Sequence, residues 1–360
     1  MALSKIPSAG FQDNVKFRNL IINGSMDIAQ RATSASSLTS TSYPTVDRFQ
    51  FQVGSAGTWS VEQSSTVPTG QGFAKSTKID CTTADASLGA SDYVIFGQNI
   101  EGQNLQYLKK GTSSAESLTC SFWVRSNKTG TYICEISDND NTRQISKSYT
   151  INSADTWEKK TLTFVGDTTG TLDNDNATSL QLFFWLAAGS TFSGGSSLKT
   201  SWGSTTNERV VGQVNFADST SNEWYITGVQ LEAGTTASDF EFLPFDVNEQ
   251  RCLRYYQEPN KGYRMDNYVA NCYNTTTAYG QTTLSVPMRT QPSVTWNVVG
   301  TGDIQGFAGN AQKSLSAIGT SHLSPYAVSY YVSGTFTTGQ AIHFNNYDTT
   351  NPFVKISAEL

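Results

Sequence analysis

The feature that most constrains this sequence is an alternation of apolar and polar residues with period two, repeated between short polar turns. Between positions 48 and 53, Phe and Val at the odd positions alternate with Arg and Gln at the even ones. Residues 118–125 repeat the pattern, and residues 180–188 are apolar on both faces. Alternation predicts half-buried strands, and the two-sided apolar run predicts a central strand that is covered on each side.

Ser, Thr, Gly, Asn and Asp cluster between these runs, for example in residues 137–141 and 170–178. Such clusters are typical of turns. Only 15% of the residues are charged, whereas 12% are aromatic, a balance that favours sheets over helices. We therefore predict an all-β protein whose first domain is a jelly roll or β-sandwich.

One helical signal interrupts the strands near residue 246. Asp246 can cap a helix, Glu249 follows three residues later, and Pro259 can end it. The strand pattern then resumes, which predicts a second, small β-sandwich domain. We divide the chain into an N-terminal segment (residues 1–18), a jelly roll (19–245), a helical linker (246–259) and a C-terminal β-domain (260–360).

Charge and hydropathy exclude several classes of partner. The net charge is −6, the pI is about 5.0, and no basic cluster is present, so we expect no nucleic-acid partner. Because no apolar run approaches the roughly 18 residues of a membrane span and no signal-peptide core is present, we expect synthesis in a cytosol and no membrane insertion. The five cysteines are widely spaced, which favours reduced, buried thiols.

The residues needed for catalysis are scarce. His322 and His343 are the only histidines, and neither stands beside a carboxylate or cysteine motif. The sequence contains no H-E-x-x-H, no G-x-S-x-G and no Walker-type loop. We therefore expect the protein not to be an enzyme.

Two Asn-rich turns carry closely spaced acidic residues: Asp138 with Asp140, and Asp173 with Asp175. Their simplest role is that of solvated turn residues, because such side chains stabilise turns unaided. A calcium ion is the main alternative, since oxygen-rich loops can supply several hard ligands. General acid–base catalysis of glycan cleavage is a third. We expect no obligatory cofactor, with calcium as an open alternative.

The tryptophans are candidates for sugar recognition, because an exposed indole can stack on the C–H face of a sugar while neighbouring polar groups bind its hydroxyls. Trp123 is the foremost candidate, since it lies on the strand face opposite Phe122 and Val124. The alternative is a strand that is covered on both faces. Trp59, Trp185 and Trp202 are weaker candidates.

Several blocks of the sequence resemble one family. Residues 19–31 match the pattern N-L-I-x-N-G-x-M-x-I-x-Q-R, and Asp47-Arg48-Phe49 follows downstream. These features resemble the opening of a family of phage and prophage tail-fibre proteins. Later blocks are similar to the same family in the same order; they are residues 118–126, 213–221, 224–235 and 239–256.

The resemblance implies a first domain like a carbohydrate-binding module, a location on the virion tail or another surface appendage, and contact with host surface polysaccharide or lipopolysaccharide. It also implies synthesis in the cytoplasm of a bacterial host and a homotrimer that is attached to other virion proteins through an attachment segment at residues 1–18. The C-terminal β-domain (260–360) would then serve oligomerisation or receptor binding. It brings no catalytic residues. We weigh three functions: a receptor-binding adhesin, a purely architectural subunit such as a head fibre, fibre shaft or decoration protein, and a glycan depolymerase.

Overall fold

The computed structural model describes residues 17–259, 268–297, 304–308, 311–346 and 354–360. The chain divides into two compact units. The first unit contains Ala32–Leu243 together with the described residues up to Asp27, and the second contains Ile28–Arg31 and the residues from Pro244 onward. Residues 1–16 of the attachment segment predicted at residues 1–18 lie outside the described part of the chain.

The first unit consists of two antiparallel sheets. The six-stranded sheet has the order β1-β3-β4-β11-β6-β9, and the five-stranded sheet has the order β2-β5-β10-β7-β8. Their strands are β1 (Ser34–Leu38), β2 (Gln50–Gly54), β3 (Thr58–Ser64), β4 (Ser76–Thr83), β5 (Tyr93–Glu101), β6 (Leu118–Ser126), β7 (Gly130–Asp138), β8 (Arg143–Ile151), β9 (Glu158–Phe164), β10 (Thr178–Ala188) and β11 (Glu223–Ala233). A short helix, α1 (Ser190–Ser193), follows β10.

The main core lies between the two sheets, where the alternation places it. Phe122 of β6 packs edge-on against Phe184 of β10 with ring centroids 4.9 Å apart, and Phe49 stacks on Phe96 at 5.0 Å. Burying such aromatic side chains contributes about 1.5–3 kcal/mol each. The predicted jelly-roll or sandwich fold of this unit is therefore confirmed.

Strand β10 is central and is buried on both faces, as its apolar run predicts. Leu182 and Phe184 point into the main core, whereas Phe183 and Trp185 join a second apolar cluster on the opposite side of the sheet. The loop after β10 covers this second cluster through Val210.

The first helix or strand of the second unit is helix α2 (Phe245–Leu253). Pro244 occupies the N-cap position without a side-chain cap hydrogen bond, so Asp246 is not the cap; it lies in the first turn, where its charge favours the helix dipole. The helix also ends before the expected Pro259, because β12 (Tyr256–Gln257) pairs with β20 (Val354–Ser357).

Six strands of the second unit form a closed barrel, with the order β13-β14-β18-β17-β16-β19. Strands β12, β20 and β15 form a separate three-stranded sheet. The second unit is thus all-β as predicted, but its strands close into a barrel where a small sandwich was expected. The remaining strands are β13 (Tyr268–Cys272), β14 (Thr277–Thr283), β15 (Ser293–Trp296), β16 (Ile304–Ala308), β17 (Ala311–Leu323), β18 (Ala327–Gly334) and β19 (Ala341–Asn346).

All five cysteines are buried free thiols, as the sequence predicts. Among the residues that the structure describes, no helix is long and apolar enough to cross a bilayer.

Candidate functional site

An open groove of about 310 Å³ lies on the face of the five-stranded sheet that points away from the main core. The alternation of β10 helps to form it, because Gln181, Phe183 and Trp185 project to that face. We term it the five-strand groove. Its lining residues are Gln52, Tyr93, Ile95, Ser137, Gln181, Phe183, Trp185, Phe192 and Arg209.

Aromatic rings form much of this groove. Trp185 and Phe183 are buried in the second apolar cluster, whereas Tyr93 and Phe192 are half-buried. Phe192 lies 5.3 Å from the ring of Trp185 and packs edge-on against Tyr93 at 5.8 Å. These contacts hold the half-buried rings in fixed positions, which suits the stacking of a flat, partly apolar ligand.

A fixed cation lies beside the rings. The guanidinium of Arg209 makes a two-pronged ion pair with the buried carboxylate of Glu135, through Nε at 2.9 Å and Nη2 at 2.5 Å, and it lies 5.0 Å from the centre of the Trp185 ring. Burial on its own lowers the pKa of Arg209, but the hydrogen bonds and charge of Glu135 raise it above its ordinary value. Arg209 therefore stays charged and oriented at neutral pH.

The groove also contains uncommitted polar atoms. Gln181 donates from Nε2 to Asn99 at 2.9 Å, and Gln52 donates from Nε2 to Gln50 at 2.6 Å. Within the described ranges, neither amide oxygen accepts a hydrogen bond. The indole nitrogen of Trp185 also has no partner there, but it is too deeply buried to be reached from the groove. A ligand rich in hydroxyl groups can donate to these two amide oxygens.

The four tryptophans proposed from the sequence occupy different environments. Trp59 is buried in the main core, where it donates to the carbonyl of Ala56 at 2.7 Å, so its ring has no face in solvent. Trp185 lies in the five-strand groove but is almost fully buried. Trp123 is half-buried and lines a second opening of about 280 Å³ on the outer face of the six-stranded sheet.

Trp202 instead covers a buried lysine. Its ring centre lies 5.1 Å from the Nζ of Lys110, and its indole donates to the carbonyl of Val165 at 2.7 Å. These contacts hold Trp202 over the charged network around Lys110 rather than in either groove. The structure therefore does not bring the four tryptophans together.

The ammonium of Lys110 lies among oxygen atoms. It forms an ion pair with Asp138, contacts Asp167 at 3.1 Å, and donates to the carbonyls of Thr169 at 3.2 Å and Gly170 at 2.9 Å. The side chains of Lys110 and both aspartates are at least nine-tenths buried. Asp138 is therefore not a solvated turn residue, and Lys110 supplies the positive charge that calcium would supply in the alternative interpretation.

Two of the other proposed calcium ligands, Asp140 and Asp175, stabilise turns, whereas Asp173 is exposed. Asp140 accepts the backbone N–H of Asp173 at 2.9 Å, and Asp175 accepts that of Ala177 at 2.9 Å. The two Asn-rich turns therefore do meet. In the described part of the chain, however, no three acidic, cysteine or histidine side chains converge on a possible metal position. Calcium binding by Asp138, Asp140, Asp173 and Asp175 together lacks the necessary geometry.

Sequence reasoning missed most of the five-strand groove. Gln52, Tyr93, Phe192 and Arg209 come from four separated segments, and no local pattern links them. The available signal was the period-two order of Gln181, Phe183 and Trp185 on a strand that is apolar on both faces.

Comparisons with known proteins give remote similarities in structure alone. No protein-family model matches the chain, and no curated protein matches its sequence. The chain is similar to the enzymatically active domain of tailspike protein 4 from bacteriophage CBA120 at 14% identity, over 60% of this chain and 21% of that one, with a TM-score of 0.31.

Two further similarities cover larger shares of the matched proteins. The family 11 carbohydrate-binding module of Clostridium thermocellum, in complex with a β-1,3-1,4-mixed-linked tetrasaccharide, matches at 13% identity over 53% of this chain and 91% of that one, with a TM-score of 0.29. The tripod from the baseplate of bacteriophage Tuc2009 matches at 12% identity over 62% and 57%, with a TM-score of 0.26. Similarities of this size carry no argument about function, which must come from the site.

Proposed function

We propose that this chain is a non-enzymatic bacteriophage virion protein, a tail-fibre-like adhesin that binds host surface glycan in the five-strand groove. One observation carries the proposal: half-buried aromatic rings, uncommitted amide oxygens and a fixed guanidinium line a single open groove. This is the combination that a saccharide requires, because its C–H faces stack on rings while its hydroxyls form hydrogen bonds.

The virion assignment rests on the sequence. The block at residues 19–31 and the later blocks resemble phage tail-fibre proteins, and the ligand is therefore proposed to be a polysaccharide or lipopolysaccharide of a bacterial surface. The proposed partners are further copies of this chain, in a homotrimer, and other virion proteins bound through the N-terminal segment.

A role in adhesion rather than catalysis is favoured by how the acidic candidates are used. Asp138 pairs with Lys110, and Asp140 and Asp175 accept backbone N–H groups. Carboxylates bound in this way are poorly suited to move protons during glycan cleavage. The proposal therefore assigns no residue a catalytic role.

A glycan array tests the proposal. We expect the wild-type chain to retain a restricted set of bacterial glycans, and Gln181→Ala to weaken this binding about 10-fold, since it removes hydrogen-bonding capacity worth roughly 1–1.5 kcal/mol. The matched control is Gln281→Ala, which removes the same side chain from an exposed position on the barrel and should leave binding unchanged.

Three outcomes would contradict the proposal. No retention on an array of bacterial surface glycans favours the purely architectural subunit. Equal losses in Gln181→Ala and Gln281→Ala would show that binding does not depend on this groove. Release of oligosaccharides from a retained polysaccharide would favour the depolymerase.

A further inference from the structure

The outer face of the six-stranded sheet carries a second opening, which we term the six-strand groove. Strand alternation turns Trp123 toward it, because Phe122 and Val124, its neighbours on β6, are buried in the main core. In the strand register, Trp123 lies opposite Lys159 of β9. The groove has a volume of about 280 Å³, close to that of the five-strand groove.

An aromatic wall borders the six-strand groove. Phe73, Phe240 and Phe242 contact one another with ring centroids 4.8–5.1 Å apart. Phe73 is buried, whereas Phe242 is 53% exposed. A large ring held at this exposure by its neighbours offers apolar surface to a ligand at little cost in side-chain entropy.

The segment that carries this wall is firmly attached. The carboxylate of Glu241 accepts the backbone N–H groups of Phe17 at 2.7 Å and Asn19 at 3.0 Å, and its own N–H donates to Gln230 at 2.8 Å. Gln230 also donates to the carbonyl of Asp239 at 3.3 Å. The positions of Phe240 and Phe242 are therefore set before any ligand arrives.

Polar side chains around the wall are uncommitted. Gln71, Lys159 and Asp239 line the groove and are exposed. Across the ranges that the structure describes, the side chains of these three residues make no hydrogen bond and no ion pair. An amide, an ammonium and a carboxylate beside an indole can bind hydroxyl groups of either donor or acceptor character.

We propose that the six-strand groove is a second saccharide-binding site, in which Trp123 stacks on a sugar ring and Gln71, Lys159 and Asp239 bind its hydroxyls. The inference extends the proposed function, on which it rests, because each chain would then engage the host glycan on two opposite faces of one sandwich. Two weak sites on one chain raise the apparent affinity for a repeating polysaccharide.

The test uses the full chain labelled with 5-fluorotryptophan, and the Trp123 signal is assigned by its loss in Trp123→Phe. Fluorine NMR spectra are recorded while millimolar methyl glycosides of glucose, galactose, mannose and N-acetylglucosamine, and any glycan retained on the array, are added. We expect at least one of these sugars to shift the Trp123 signal. Gln71→Ala should weaken this response about 10-fold.

The controls separate the two sites. Trp157→Ala removes another half-buried tryptophan close to the same sheet, outside the groove lining, and should leave the Trp123 response intact. Gln181→Ala should also preserve the response of the Trp123 signal to sugar. Suppose that array glycans bind, that Gln181→Ala weakens their binding, and that no sugar shifts the Trp123 signal. The proposal of a second site is then wrong, and the proposed function stands. If neither groove responds, both proposals fail.

Discussion

At the scale of single residues, the ammonium of Lys110 neutralises a group of buried oxygen atoms that could otherwise bind a metal ion. Two carboxylates and two carbonyls surround its Nζ, and these are the hard oxygen ligands that calcium prefers. The polar nature of the site can be inferred from Asp138. The cation that pairs with Asp138 is Lys110, 28 positions earlier in the sequence, and no local spacing indicates this pairing.

We expect Lys110→Ala to lower the free energy of unfolding by about 3 kcal/mol, because it leaves the buried carboxylate of Asp138 without its cation, whereas Asp167 keeps its ion pair with Arg143. Millimolar calcium should restore about 1 kcal/mol by binding the vacated site. Guanidinium chloride unfolding, with calcium or with a chelator, measures both effects. The wild-type chain should unfold identically in the two conditions.

The neighbouring lysine provides the control. Lys109 pairs with Glu116 at 3.0 Å, but both side chains are largely exposed, so Lys109→Ala should cost less than about 1 kcal/mol and show no calcium effect. Equal costs for the two substitutions, or a Lys110→Ala chain that ignores calcium, would refute the assignment of a built-in cation.

The lowered pKa of Glu158 predicts that the stability of the fold depends on pH. Burial on its own raises the pKa of Glu158, but Lys160 and hydrogen bonds from Ser153 and Asn152 lower it from 4.5 to about 2. Its contribution to stability is therefore complete above pH 4.5 and is lost as the pH falls toward about 2.

We expect Glu158→Gln to destabilise the chain by roughly 1–2 kcal/mol at pH 7, allowing for solvent screening, and the difference from wild type to shrink as the pH falls below 4.5. Denaturant unfolding at pH 7, 4 and 3 measures this. A difference that stays constant over that range would contradict the assigned cause.

At the scale of elements, the segment Ile28–Arg31 belongs to the second unit although it lies near the start of the chain. Arg31 stacks over the ring of Tyr256 at 3.6 Å and pairs with Glu359 at 3.0 Å, and Gln30 donates to the carbonyl of Tyr256 at 3.0 Å. The last two residues of the N-terminal motif thus support β12.

We expect Arg31→Ala to destabilise this part of the second unit by about 1–3 kcal/mol, because a largely buried cation–π contact and an ion pair are lost together. Hydrogen exchange should then speed up in β12 and β20. The matched control is Arg125→Ala, which removes a comparable stack on Tyr225, 4.9 Å away, in the first unit. Unchanged exchange in β12 after Arg31→Ala would contradict the prediction.

Elements differ in how far the sequence alone predicts them. The alternation in β6 and the two-sided apolar run of β10 follow from local periodicity, so their strand character and burial could be predicted. The barrel could not, because its closure depends on pairing β13 with β19, about 70 residues apart, and no local pattern encodes that pairing. The two grooves were missed in part for the same reason: loops from distant segments complete them.

At the scale of the whole molecule, the proposed adhesion depends on how many weak sites act together. Each groove is open and of modest volume, so a single site should bind weakly. The predicted homotrimer multiplies these sites. Linked sites raise the apparent affinity for a dense glycan surface by roughly 100-fold or more over that for a soluble fragment.

We therefore expect light scattering of the purified chain at micromolar concentration to give three times the 39.1 kDa chain mass. Binding to glycan-coated surfaces should weaken toward the single-site value as the coating is diluted, since neighbouring sites then lose their second contact. A stable monomer, or an affinity that does not depend on glycan density, would mean that the chain does not adhere by combining several sites.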